Sequence, residues 1–521
     1  MNLLTDPVLR VQTPEGTNGA SLPELLALLG EDRVESLPGL QRHQEDAFHI
    51  FCCYLAGAVL ARAGDTQTGQ STEYWREGIR ALTRDDGCAD DSAWTMVVEN
   101  PTKPAFMQSP APTREVFGRD YKPDAATPDA IDVLITSKNH DVKSSRAANA
   151  DPEAWLFALI SLQTTTGLLG KGSGGGMNRG IGRMNKGYGS RPRVGWQATT
   201  RAGAQFGRDV SVLLATRATL LQPPHPYVKS GKVLLWIAPW DGIGSRALAS
   251  LDPFFIEIAR RVRLRSEVTG IRAHASGSAA NFIAGDQLAG NLGDPWTPIT
   301  QKTNGALTVQ EHGFTPELLQ KLVFGDGYTP AAMQRADSSA AGGWFSASVL
   351  VRGQGRTDGF HSATIRVPEK PRIALLGGGP VRDRLALLSK RGLDAASAIH
   401  YKALRPALFS LMEGGPESIV LDKTEIAKWV DHTSGPFAHN WNPRYFDWLW
   451  STVDISDDTE ALHPWFDELC RLAQETLNRA IEGAPQRHGR TYRATTKAQG
   501  MFFGRLKKNF PQFMEVRHDQ P

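Results

Sequence analysis

Cysteine is scarce in this chain: four in 521 residues, at Cys52, Cys53, Cys88 and Cys470. No CxxC pair occurs, and the adjacent Cys52 and Cys53 cannot grip one zinc ion. Zinc ribbons and disulfide scaffolds are thereby excluded, and the four read as buried free thiols in a reducing compartment. Long apolar runs are lacking too. The longest, FHIFCCYLAGAVLA (Phe48 to Ala61), is about 14 residues, short of the roughly 20 needed to span a bilayer. It reads as a buried helix stopped by Gly64, with the acids of HQED at its positive end. MNLLTDPVLR places an acid and a proline where the apolar part of a signal peptide would begin, so a cytoplasmic location and no membrane partner are expected.

Catalytic signatures are missing as well. There is no HExxH and no GxSxG. His43 and His49 are six apart and fall on different helix faces, and the acids are scattered without an obvious pair. FAHNW (437–441) superficially matches part of an HNH nuclease but lacks the surrounding frame. These gaps argue for a non-enzyme with no metal and no cofactor. Neither sign of charge dominates, the net being +3; an anion would have to be met by a local patch.

Such a patch exists, and it is itself defined by an absence. From Ala154 to Arg208 there is no Asp or Glu, yet there are eight Lys or Arg. Within it, GKGSGGGMNRGIGRMNKGYGSRPR (Gly170 to Arg193) packs nine glycines with six Lys or Arg. Glycine lets backbone N–H groups approach an anion closely, and the cations supply attraction. GKGSGG formally fits GxGxxG, but no clear strand leads in and no clear helix leads out, as a dinucleotide site requires. Lys171 is followed by Gly172, not Ser or Thr, so a P-loop does not fit, and magnesium-holding acids are missing locally. Three readings remain: a phosphate-binding nucleotide loop, a plain surface loop, and a polynucleotide contact ordered by its partner. The last explains both glycine and cation density. Tyr188 and Trp196 are candidates to stack on bases.

Elsewhere VLRVQ (8–12) reads as a strand, and SLPELLALLG (21–30) as a helix capped by Ser21 and stopped by Gly30. DVLITS (132–137) reads as a strand, AWLFALISLQ (154–163) as helix or strand, SVLLATRATLLQ (211–222) as a helix and KVLLWIA (232–238) as a strand. DPFFIEIARRVRLR (252–265) reads as an amphipathic element. SASVLVRGQGRTDGFHSATIRVP (346–368) reads as a hairpin with a long tip. Beyond about residue 370 the periods are helical: VRDRLALLSKRG, DAASAIHYKALRPALFSLMEG, PRYFDWLWSTV, HPWFDELCRLAQETLNRAIEG and a basic TKAQGMFFGRLKK. Leu462, Phe466, Leu469, Leu472, Leu477 and Ile481 mark one face of one such helix. The expected fold is therefore α+β: a large irregular mixed N-terminal domain, 1–370, followed by an all-α four-helix bundle, 371–521.

Several segments in order carry a family resemblance: MNLLTDP at the start, PAFMQ (104–108), TSKNHDVK (136–143), GGGM (174–177), DPFFIEIARRVRL (252–264) and VRGQGRTDGFH (351–361). Together they resemble the large subunit of type I-E CRISPR Cascade, the CasA family. The resemblance implies a non-catalytic subunit of a guide-RNA surveillance complex. Such a subunit inspects double-stranded target DNA for a protospacer-adjacent motif (PAM), helps open it, and docks a helicase-nuclease. It implies as partners the guide RNA, the target duplex, the other Cascade subunits and that nuclease. By the same resemblance Gly174, Gly175 and Gly176, with Arg179 beside them, would approach the PAM from the minor groove. Lys138, Asn139 and His140, with Lys143 nearby, would meet the guide RNA and the complex backbone. Gln354, Gly355 and Arg356 would form the wedge under the PAM. Arg183, Lys186, Arg191 and Arg193 would add phosphate contacts, and Lys497, Arg505, Lys507 and Lys508 would either guide a displaced strand or form a solvated helix face. The family's PAM-reading lysine precedes a Trp-Pro segment. Here PWTP (295–298) is preceded by no lysine, so Lys302 or an arginine such as Arg272 stands in, or a different PAM is read. The competing reading is a stand-alone nucleotide-dependent or nucleic-acid-processing enzyme.

Overall fold

A computed structural model describes all residues except 132–150, 166–191, 269, 337–341, 354–355, 414–423, 485–487 and 515–521. The chain divides into two compact units. One comprises Met1–Phe314 with Gly327–Thr364, the other Thr315–Asp326 with Ile365–Pro521.

The first unit is irregular and mixed, with small two- and three-stranded sheets set around apolar helices. Its centre is the helix Glu45–Ala63, of whose 19 residues 13 are buried. This helix is long and apolar enough to cross a membrane, but its apolar surface is consumed by the core. Phe48 meets Phe157 edge-on at 5.0 Å, and Phe51 meets Phe106 at 5.8 Å. Gly57 lets the helix Ala202–Leu220 come close: a Cβ there would lie 2.9 Å from a Leu213 methyl. Gly64 ends the helix at φ 73, the left-handed geometry that glycine adopts at little cost.

The first helix runs Leu22–Gly30, and Ser21 and Glu24 cap it reciprocally. Gly30 does not stop it by turning left-handed. It is small because the Thr68 carbonyl passes where a Cβ would sit, 2.0 Å away. AWLFALISLQ is a helix, Pro152–Thr164. DPFFIEIARRVRLR is two strands, Leu251–Ile256 and Arg261–Glu267, the latter paired antiparallel with Gly270–Ser276. Its arginines are structural. The buried Arg263 guanidinium donates to the carbonyls of Lys103 and Gln108, and burial pushes its pKa down to about 10. Arg261 donates to Ser276 and Gly277 and lies over the Tyr121 ring at 5.1 Å.

In the second unit Gly379–Ile399, a π turn at His400–Leu404 and Arg405–Glu413 form one helical run. The π turn coincides with Pro406, which has no N–H to return to Lys402. Thr424–Trp441, Asp458–Gly483 and His488–Asn509 complete the set of long helices. Phe466, Leu469, Leu472 and Leu477 are buried, while Leu462 and Ile481 are half-buried at the margin of the same face. The Trp448 and Trp465 rings stack at 4.9 Å, and Trp465 Nε1 donates to the Gly392 carbonyl at 3.0 Å. The architecture is thus α+β, an irregular mixed region followed by packed helices.

Candidate nucleic-acid interface

The glycine-rich segment is flanked by two well-defined elements. The helix Pro152–Thr164 leads into it, and the strand Pro192–Gln197 leads out. The helix is anchored at both ends. Near its start Glu153 is buried and accepts from the Arg10 backbone N–H at 2.6 Å and from Arg10 Nε at 2.5 Å. Near its end the buried Gln163 uses its whole amide. Nε2 donates to the carbonyls of Met107 and Arg260, and Oε1 accepts from the N–H groups of Ala259 and Arg260. Gln108, in PAFMQ, is engaged in the same way: Nε2 donates to the carbonyls of Met96 and Phe106, while Oε1 accepts from the Leu264 N–H at 2.6 Å. PAFMQ, DPFFIEIARRVRL and the approach to the glycine segment are thereby one locked assembly. The two glutamine amides are matched inside the core, where an unmatched one would be costly.

The outgoing strand pairs antiparallel with the long strand Gly342–Gly353, Pro192 opposite Val349 and Gln197 opposite Trp344. That strand pairs in turn with Arg356–Pro368, so the three lie in the order second hairpin strand, first hairpin strand, outgoing strand. The hairpin expected at 346–368 is present. Its strands run on to Gly353 and resume at Arg356, so much of the polar middle expected as a long tip belongs to the strands. The antiparallel register has a consequence for the site. The end of the outgoing strand that receives the glycine segment, Pro192, points toward the tip end of the hairpin. Gly353, the last residue of that strand, lies four residues of extended chain past Val349, about 14 Å. Thr165 and Arg193, at the two roots of the glycine segment, line one cavity of about 30 Å³ with Asp46 and Ser348.

PWTP covers the other edge of the outgoing strand. Val194 N–H donates to the Trp296 carbonyl at 2.9 Å, and Thr297 Oγ1 donates to the Pro192 carbonyl at 3.4 Å. Lys302 follows in the exposed turn between Ile299–Thr300 and Gly305–Ala306. Arg272 lies on a different sheet, 3.7 Å from Glu267.

Beneath this sheet is an ionic cluster that sequence reasoning missed. Arg193 donates to Asp46 Oδ1 at 2.6 Å, and its second nitrogen stands 3.8 Å from Asp209. Asp209 also receives His49 at 2.8 Å, Arg208 at 2.7 Å and Gln205 at 2.9 Å. Burial alone would raise the Asp209 pKa. The hydrogen bond and charge of His49, with Arg193 and Arg208, hold it below the usual carboxylate value. Arg193 was expected among the phosphate contacts. It is instead turned inward and engaged by two carboxylates. Trp196, expected as a stacking surface, is buried beneath Gly343, where a Cβ would lie 2.4 Å from its ring. These carboxylates lie far apart in the sequence, at 46 and 209, and no local pattern joins them.

The named candidates themselves stand at the margins. Lys138, Asn139, His140, Lys143, Gly174, Gly175, Gly176, Arg179, Arg183, Lys186, Arg191, Tyr188, Gln354 and Gly355 lie outside the described residues. The backbone of Arg356 opens the second hairpin strand. In the sequence the Pro152–Thr164 helix, 13 residues and about 20 Å long, stands between residues 132–150 and 166–191. In the second unit Arg505, Lys507 and Lys508 are exposed on the His488–Asn509 helix and Lys497 is half-buried. Among the described residues no group of three His, Cys, Asp or Glu side chains could hold a metal ion.

No protein-family model and no curated protein matches the chain. Solved structures do. The chain is similar to Thermus thermophilus CasA (Cse1), at 13% identity and a TM-score of 0.60, covering 98% of this chain and 99% of that one. It is similar to the CRISPR-associated protein Cse1 from Acidimicrobium ferrooxidans, at 14% identity and 0.59, covering 98% and 99%. It is similar to Thermobifida fusca Cse1, at 15% identity and 0.60, covering 98% of each. At these identities the likeness is one of fold, extending over essentially the whole chain.

Proposed function

We propose that this chain is a non-catalytic large subunit of a guide-RNA surveillance complex of the type I-E Cascade kind, acting in the cytoplasm as its reader of duplex DNA. The observation that carries the reading is the shared end of one sheet. The glycine-rich, acid-free segment leaves the sheet at Pro192, and the hairpin tip leaves it at Gly353, on the same side. The full-length likeness in fold to Cse1 structures supports it.

In this reading Gly174, Gly175 and Gly176 enter the minor groove at the PAM, where side chains would block backbone approach. Arg179, Arg183, Lys186 and Arg191 neutralise phosphates. Such binding is fast, weak and steeply salt-dependent, as inspection of many wrong sites requires. Gln354, Gly355 and Arg356 wedge beneath the PAM and hold the strands apart, offsetting an unstacking cost of about a few kcal/mol per step. Lys138, Asn139, His140 and Lys143 face the guide RNA and the rest of the complex. Of the two stand-ins for the family's PAM-reading lysine, Lys302 is the better placed, because it continues the segment packed on the outgoing strand. The guide supplies sequence specificity, and a helicase-nuclease is recruited to cut.

The test is duplex binding by the guide-RNA complex with and without this chain, on targets that differ only in the bases flanking the guide-matched stretch. Affinity and discrimination that both need the chain are expected. Equal binding without it would refute the reading. Turnover of ATP or of a polynucleotide by the isolated chain with magnesium would favour the enzyme instead.

A further inference from the structure

Asp46 is one of the two acids expected at the start of the core helix, and the proposed DNA contacts do not use it. It lies in the first turn of the core helix Glu45–Ala63, where a carboxylate is favoured by the helix dipole. Each of its oxygens has a different partner. Oδ1 accepts from Arg193 at 2.6 Å, and Oδ2 accepts from the Ser348 hydroxyl. Arg193 and Ser348 are themselves directly opposite in the strand ladder, so their side chains share one face of the sheet. Arg193 is the second described residue after the glycine segment, and Ser348 is five residues before the end of the first hairpin strand. One carboxylate therefore bridges the element that carries the glycine segment and the element that carries the hairpin tip, and ties both to the core helix.

The bridge is built rather than incidental. The Arg193 and Asp46 side chains are only 22% and 19% exposed, and the guanidinium is steadied from behind by Asp209, 3.8 Å away, which His49 and Arg208 hold. Half-buried polar groups held by several partners have few arrangements available, and side chains anchored to them are restricted in turn. Glycine has wide conformational freedom, so a sequence with nine glycines depends on the elements at its roots for its placement.

We propose that Asp46 is a positioning residue for DNA reading: by clamping Arg193 to Ser348 it holds the roots of the glycine segment and the wedge hairpin in one register, so that PAM contact and strand opening act on the same duplex together. This rests on the proposed function. It predicts a defect in discrimination and opening, not in general affinity, since phosphate contacts do not need the register.

The experiment uses the assembled guide-RNA complex carrying wild-type chain, Asp46→Asn, Ser348→Ala or Ser348→Thr. Binding is measured on guide-matched duplexes with preferred and disfavoured flanking bases and on an unrelated duplex, and strand opening is followed by fluorescence of an unpaired base analogue. Asp46→Asn and Ser348→Ala should each lower the ratio of preferred to disfavoured binding by about tenfold, the loss of one charge-assisted hydrogen bond, and slow opening. Unrelated-duplex affinity should not change, and Ser348→Thr, which keeps the hydroxyl, should behave as wild type. Wild-type discrimination and opening in both defective variants overturns the proposal. So does an equal loss on all duplexes, which marks plain structural damage. Should Asp46→Asn fail to assemble, Ser348→Ala decides alone. A wild-type chain that confers no discrimination brings down the proposed function and the clamp together; intact wild-type discrimination with unaffected variants brings down the clamp alone.

Discussion

Replacing Arg193 by methionine isolates the cluster beneath the sheet. Methionine keeps much of the arginine stem but removes the guanidinium, leaving Asp46 and Asp209 facing each other's field without it. Removing one partner of a fully buried ion pair costs about 3–5 kcal/mol. Arg193 and Asp46 retain about a fifth of their exposure, so solvent relieves part of this, and about 2–3 kcal/mol is expected. A unit of about 350 residues carries an unfolding entropy near 0.7 kcal/mol/K, which converts that loss to about 3–4 °C in Tm. The sign with pH follows from Asp209. Its folded pKa is lowered, so in the wild type its contribution is complete above the unfolded value of about 3.9 and is lost only as pH falls through the folded value. In the variant Asp209 loses the Arg193 charge that helps lower its pKa and takes up a proton more readily when folded. The deficit should then be largest at pH 7.5 and smaller at pH 5. Differential scanning calorimetry of the full chain at both values checks it. A variant as stable as wild type, or a deficit that grows on acidification, would refute the assignment of Arg193 to structure rather than to phosphate binding.

Gly392→Ala should destabilise the helical unit by about 1–3 kcal/mol, as overpacking does, although alanine is the better helix former; the new Cβ would lie 2.5 Å from the Trp448 ring. A rise in Tm would show that the stacked tryptophans yield. Asp86 accepts from the N–H groups of Val233 and Leu234 but is pushed up to about 6 by burial. Its folded pKa exceeds the unfolded one, so stability should fall as pH rises from about 4 to 6, by about 3 kcal/mol in all. Asp86→Asn should flatten that slope in denaturant titrations, and an unchanged slope would assign it elsewhere. Gly175→Trp should abolish PAM-dependent binding with the thermal transition intact; wild-type target affinity would remove the segment from the PAM. Gln354→Ala with Arg356→Ala should slow strand opening more than it weakens first duplex contact, and unaffected opening kinetics would move the wedge elsewhere.

The helices were the legible part of this fold, because each reports itself locally. The apolar run at 48–61 became the core helix, and Ser21 caps the first helix as expected. Glycine misled at Gly392, which closes an apparent helix but lies within one and admits the Trp448 ring. Gly30 does end its helix, but it also makes room for the Thr68 carbonyl. From sequence a glycine that ends a helix and one that lets something pass close by are the same letter. Hence VRDRLALLSKRG and DAASAIHYKALRPALFSLMEG, which read as two helices, are one run.

The candidate interface divides along the same line. What composition could show, it showed: 55 residues without an acid are visible without any fold. What could not be seen was which of their cations are already spent. Arg193 belongs to the basic stretch by count, but its counter-charges come from residues 46 and 209. The strand ladder sets Arg193 against Ser348 across 155 residues of chain, and no window finds such a pairing. A local deficit of acids is therefore an upper bound on the charge a segment offers to nucleic acid. It must be reduced by every cation that the fold turns inward, and the turned-in cations carry their own information, because they mark where the segment is fastened to the core.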